Sequence, residues 1–78
     1  MLVGGNDIRW WAKVEVYKNK GQAEFQLGHF DNAMDMFSLA YETAEDVNDK
    51  AALAGLMAGY YLQENRVKEA KEYAEKAL

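Results

Sequence analysis

The two halves of this chain correspond to each other at an offset of 37 residues. Moved by that amount, Ala33 and Ala40 fall on Ala70 and Ala77, Gly21 on Ala58, and Gly28 on Asn65. Phe25 falls on Leu62, Phe30 on Val67 and Tyr41 on Leu78. Small residues meet small ones and large apolar residues meet large ones. A period in this range marks supersecondary units that cannot bury an apolar face alone and stack on a neighbour to do so. A chain of 78 residues holds two of them.

Each unit reads as two helices. Residues 1–6, with Gly4 and Gly5, read as a flexible lead, and Asn6 or Asp7 is placed to cap the first helix. From Ile8 onward Trp10, Val14, Tyr17, Gly21, Phe25 and Gly28 advance by threes and fours, which predicts a long helix to about Leu27. Gly28 then suits a helix C-terminal turn. Asp31 or Asn32 is the expected cap of a second helix, whose apolar set is Ala33, Met34, Phe37, Ala40, Tyr41 and Ala44. The polar stretch Glu45–Asp49 breaks the pattern, and Asn48 or Asp49 is the expected cap of a third helix over about Lys50–Gln63. That helix is apolar almost all round, as in a helix covered on several sides. Its Gly55 and Gly59 are expected to let another helix approach closely. A fourth helix runs from about Val67, with Lys68–Glu72 and Glu72–Lys76 as i,i+4 pairs on its outer side. Short turns make consecutive helices antiparallel. The organisation is one domain over 1–78, with a first hairpin over 7–47 and a second over 48–78.

The run Gly21-x6-Gly28-x-Phe30-x2-Ala33-x3-Phe37-x2-Ala40 resembles the tetratricopeptide repeat pattern. So does Ala58-x2-Tyr61-x5-Val67-x2-Ala70-x3-Ala74-x2-Ala77, and together the two runs cover about residues 14–78. The family's period is about 34 residues, and the excess of three fits within the polar break around Glu45–Asn48. The resemblance implies an all-α fold of four antiparallel helices forming two stacked hairpins, a segment of a right-handed superhelix. It assigns Gly21 and Ala58 as the small contact points of each first helix. Ala33, Ala40, Ala70 and Ala77 would be their partners on each second helix, with Phe37 filling the space between. Neither repeat ends in the family's usual proline, and Ala54 stands where Tyr17 supplies an aromatic in the first repeat. The alternative is a plain four-helix bundle or structural homodimer without a peptide groove, since small residues at threes and fours also serve any close-packed bundle.

Composition removes several function classes. Cysteine is absent and there is one histidine, so neither a disulfide framework nor a zinc site is expected, and no metal or cofactor is assigned. The net charge of −4, with both signs interspersed, argues against a nucleic-acid surface and gives no attraction to anionic membranes. The longest apolar run, Ala51–Leu62, is 12 residues, too short to span a bilayer, and the first residues do not read as a signal peptide. A cytoplasmic protein is expected. At this length a single core leaves stability marginal. The apolar side of the fourth helix and the tryptophans therefore point to self-association, or to a piece of a larger repeat protein.

No catalytic constellation stands out, and the chain is not expected to be an enzyme. His29 reads as a solvated turn residue, Ser38 as a packing residue beside Phe37, and the acidic stretch from Asp31 to Asp49 as a solvated helix face. A small-ligand pocket at Met57, Tyr60 and Tyr61 is a remote rival. Trp10 and Trp11 precede the matched repeat and point about 100° apart on a helix, so one core is not expected to hold both. They are candidates for docking a partner. By the resemblance, the partner-facing positions of the first unit are Lys18, Gln22, Phe25 and Gln26, and those of the second are Gly55, Gly59, Leu62 and Gln63. Of the cationic set that relatives use to clamp chaperone tails, only Lys18 is in place. The expected partner is therefore an amphipathic helix or extended peptide of another protein, held by a scaffold.

Overall fold

The computed structural model describes the backbone of residues 2–78 and the side chains from Trp10 onward. Its elements are four helices: α1 Leu2–Gln26, α2 Phe30–Thr43, α3 Val47–Gln63 and α4 Val67–Ala77, with no strand among the described residues. Two compact units divide the chain, Met1–Glu45 and Asp46–Leu78. In each, two helices pack against each other as a hairpin, α1 with α2 and α3 with α4.

The hairpin corners show the 37-residue offset in hydrogen bonds. At the end of α1 the Gly28 N–H donates to the Phe25 carbonyl at 3.0 Å, and the His29 N–H to the Glu24 carbonyl at 2.9 Å. At the end of α3 the Asn65 N–H donates to Leu62 at 3.0 Å, and the Arg66 N–H to Tyr61 at 2.8 Å. Both pairs form the double bond of a Schellman turn, which satisfies carbonyls that a helix end leaves unpaired. The turn needs a left-handed residue, and Gly28 (φ 85°) and Asn65 (φ 61°) are it. The next helix starts the same way in each unit, the Ala33 N–H donating to His29 and the Ala70 N–H to Arg66, both at 2.9 Å.

The first core is built on one close approach. Gly21 is buried beneath the fully buried ring of Phe37, which a Cβ at residue 21 would meet at 2.7 Å. Val14, Ala33, Met34, Ala40 and Ala44 are buried with them, and Phe25 meets Phe30 edge-on at 6.3 Å. In the second unit Leu53, Ala54, Met57 and Ala70 are buried, and Tyr61 stacks on Tyr73 at 5.5 Å. Ala58 and Ala77 are half-buried there, unlike Gly21 and Ala40. The reason lies in the partners: Ala74 stands where the first unit has Phe37, so nothing large presses on Ala58 from that position.

Several element starts differ from the sequence reading. The lead expected at residues 1–6 is helical from Leu2, and Met1 lies outside the described residues. Asn6 and Asp7 are therefore inside α1, because propagation adds a hydrogen bond per residue and no proline stops it. The cap of α2 is His29, without a side-chain bond, and Asp31 lies in the first turn instead. The cap of α3 is Asp46, whose carboxylate accepts from the Asn48 N–H at 2.7 Å and the Asn48 neighbour Asp49 at 3.4 Å. This draws Val47, Asn48 and Asp49 into the helix. Gly55 and Gly59 do not mediate a tight approach. A Cβ at Gly55 would meet only Ala77 at 3.9 Å, and one at Gly59 nothing within 4 Å. On α4, Lys76 lies over the Tyr73 ring at 4.6 Å rather than pairing with Glu72.

Candidate interaction surface

Helical spacing sorts the side chains of α1 into faces. Val14 and Gly21 are buried in the hairpin, and Trp10 and Tyr17 flank them, both half-buried. Trp11 is 54% exposed. At 100° per residue it shares a strip with Glu15, Lys18, Gln22 and Gln26. Lys18 and Gln22 are half-buried and Gln26 is exposed. Trp10 points away from this strip, so the structure does not bring the two tryptophans together. The side chain of Ile8 lies outside the described residues.

The strip is nearly neutral. Lys18 Nζ is 3.2 Å from Glu15 Oε2, an i,i+3 pair that the sequence reading missed although its spacing was visible. Phe25 borders the strip but is half-buried and turned toward Phe30. An aromatic end, an internally balanced ion pair and two amides make a surface that offers apolar contact and hydrogen bonds rather than net charge.

On α3 the corresponding positions are open. Gly55, Gly59, Leu62 and Gln63 are exposed, with Leu62 at 58%. Here the absence of side chains at two helix-interior positions leaves the backbone approachable. The pocket residues of the rival reading are packed instead: Met57 is fully buried and Tyr61 lies against Tyr73, with the Arg66 guanidinium 5.5 Å from the ring centre. His29 is not simply a solvated turn residue, since its Nδ1 is 2.7 Å from Glu24 Oε1. Glu24 and Tyr61 are equivalent positions, so each corner residue, His29 or Arg66, reaches back to the same place with different chemistry. Among the described residues no cluster of three potential metal ligands occurs, and no helix is long and apolar enough to cross a membrane.

The model of the tetratricopeptide repeat family matches residues 14–47 and again residues 51–78. The two matches begin 37 residues apart, the offset at which the hairpin corners coincide. This chain belongs to the tetratricopeptide repeat family. Its two tandem repeats account for both hairpins, with the excess over the usual period at residues 48–50, in the first turn of α3. Residues 2–13 of α1 precede the first repeat, so Trp11 extends the Lys18 strip beyond the repeat proper. Tetratricopeptide repeats mediate protein–protein interaction and are typically non-catalytic scaffolds. No curated protein and no solved structure gives a significant match to the chain.

Proposed function

We propose that this tetratricopeptide repeat chain is a non-catalytic scaffold that binds a peptide or amphipathic helix of a partner protein along the first helix of each repeat. The observation that carries the reading is Trp11, more than half exposed on the same strip of α1 as Lys18, Gln22 and Gln26. A large aromatic left in water on a strip of otherwise polar side chains is the composition of a binding hot spot. Leu62 and the bare backbone at Gly55 and Gly59 support the same use of α3. The partner has an apolar side chain for Trp11 and backbone or amide groups for Gln22 and Gln26.

Selection from a random-peptide display library against the whole chain tests this. Peptides selected on the chain should lose affinity about 30-fold or more on Trp11→Ala, the loss expected of a hot spot of about 2 kcal/mol. They should lose less on Gln22→Ala. Selected peptides that bind Trp11→Ala and Lys18→Glu chains as well as the original would remove α1 as the binding face.

A second reading, self-association, is favoured by the exposure of Val67 and Leu78 on α4 and of Val16 on α1. It is compatible with the first, because these side chains are not on the Trp11 strip.

A further inference from the structure

The first hairpin carries two outer faces of opposite charge. On α1, about 80–160° around the helix from the buried Val14 and Gly21, lie Lys13, Val16 and Lys20, all exposed. They fall within about 60° of one another around the helix. On α2 the exposed residues Asp35, Leu39 and Glu42 occupy a similar arc, and α2 contains no lysine or arginine at all. None of these four charged side chains is in an ion pair among the described residues.

The spacings match as well as the signs. Lys13 and Lys20 are seven residues apart, and so are Asp35 and Glu42. At 1.5 Å per residue both separations are about 10.5 Å. The apolar residue between each pair sits three residues from one end: Val16 from Lys13, Leu39 from Glu42. Laid antiparallel, the faces bring Lys13 to Glu42, Val16 to Leu39 and Lys20 to Asp35. There is also a place for Leu39 to go. A shallow hollow of about 260 Å³ on α1 is lined by Ala12, Lys13, Val16 and Tyr17, an apolar floor with a lysine on its rim.

We infer that this surface takes a second copy of the chain: α2 of one copy docks on α1 of another, Leu39 in the hollow, with the two lysines against the two carboxylates. This rests on the self-association reading and names its surface. The docked faces are two different surfaces of the hairpin, α1 of one copy and α2 of the next, so each docking leaves a free α1 face on one copy and a free α2 face on the other. Such a contact is heterologous and grows head to tail instead of closing as a pair. Each copy keeps its Trp11 strip free, so assembly would display several partner-binding strips in a row. Charge complementarity sets the register and excludes the alternatives, since α1 against α1 brings lysines together and α2 against α2 brings carboxylates together.

Sedimentation velocity of the full chain from micromolar to millimolar concentration is the test. The wild type is expected to form a concentration-dependent series of oligomers. Raising the ionic strength from about 0.1 M to about 1 M shortens the Debye length from about 10 Å to about 3 Å and should shift the series back toward monomer. The variants Lys13→Glu/Lys20→Glu and Asp35→Lys/Glu42→Lys should each be monomeric, with helical circular dichroism unchanged because all four side chains are exposed. Mixed in equal amounts, the two variants should associate again, and so should a chain carrying all four reversals. A wild type that stays monomeric overturns the inference. So do reversal variants that associate like the wild type, or a mixture that stays monomeric. Peptide capture by the Trp11 strip should be the same in all these chains, so its loss in the display experiment would count against the scaffold reading alone.

Discussion

Gly21 lies flat against the ring of Phe37, close enough that a Cβ there would stand 2.7 Å from Cε1 and 2.8 Å from Cδ1. The ring is fully buried and has no room to swing away. Gly21→Ala therefore sets a helix-propensity gain of about 1 kcal/mol against an overpacking cost of about 1–3 kcal/mol. The expected result is a net loss of about 1 kcal/mol, read as a lower urea midpoint at unchanged slope. In a Phe37→Leu background the ring atoms that clash are gone, and the same Gly21→Ala change should become stabilising. The second repeat already shows this solution, with Ala58 and Ala74 at the equivalent positions. A cycle with no change of sign would mean that Gly21 serves something other than this contact.

The left-handed corners give a second pair of outcomes. Gly28 has a φ of 85° and a Cβ there would meet nothing within 4 Å, so the cost of a side chain is purely one of backbone conformation. Gly28→Ala should cost about 1–2 kcal/mol. Gly28→Asn should cost less, since the equivalent corner is turned by Asn65 at φ 61°. Conversely Asn65→Gly should leave stability level or slightly raised. Thermal unfolding monitored by circular dichroism separates the three.

These two features also show what could be read from the chain and what could not. Gly21, Gly28 and Ala33 are legible because residues of like size recur at the offset of 37, and Phe37 because it completes the tetratricopeptide repeat pattern; side-chain size is what a close-packed hairpin selects. The start of α3 is not legible in the same way. Asp46, Asn48 and Asp49 are all good caps by type, and only the folded backbone shows that the Asp46 carboxylate meets the Asn48 N–H at 2.7 Å. The contact between His29 and Glu24 spans five residues across the corner, outside the threes and fours by which helix pairs are recognised. Gly55 and Gly59 read as points of close approach because spacing reports a shared face without reporting what that face meets. Trp10 and Trp11 both read as docking candidates by residue type, and the placement of Trp11 alone on the Lys18 strip follows from helical phase with α1 continuous through it.

Glu69 provides the pH-dependent outcome. It stands in the first turn of α4, where a hydrogen bond from its own backbone N–H holds its carboxyl below the ordinary glutamate range. Partial desolvation opposes this, and the Arg66 guanidinium, 3.3 Å from Oε2, adds to the lowering. A carboxylate with a lowered folded-state pKa contributes stability that is present above its unfolded value and is lost as pH falls through the folded one. Carboxyl ¹³C titration should therefore give Glu69 a midpoint below that of a glutamate in an unstructured peptide. Arg66→Gln should raise that midpoint only part of the way, because the backbone bond remains. Complete return to the peptide value would assign the whole effect to Arg66.

Gly59 separates stability from binding. It is interior to α3, exposed, and its missing Cβ would touch nothing within 4 Å. Glycine in a helix interior costs about 0.5–1 kcal/mol relative to alanine, and no contact within this chain offsets that cost. Gly59→Ala should therefore raise the unfolding free energy by an amount in that range, seen as a higher unfolding midpoint. Gly55→Ala should do much the same, since 3.9 Å to the Ala77 Cβ is ordinary contact distance. If the bare backbone of α3 receives a partner, the same substitutions should weaken binding of the selected peptides while stabilising the free chain. Isothermal titration of a selected peptide against the two variants gives the answer. A stabilised chain with unchanged affinity would take α3 out of the binding face and leave the Trp11 strip of α1 to act alone.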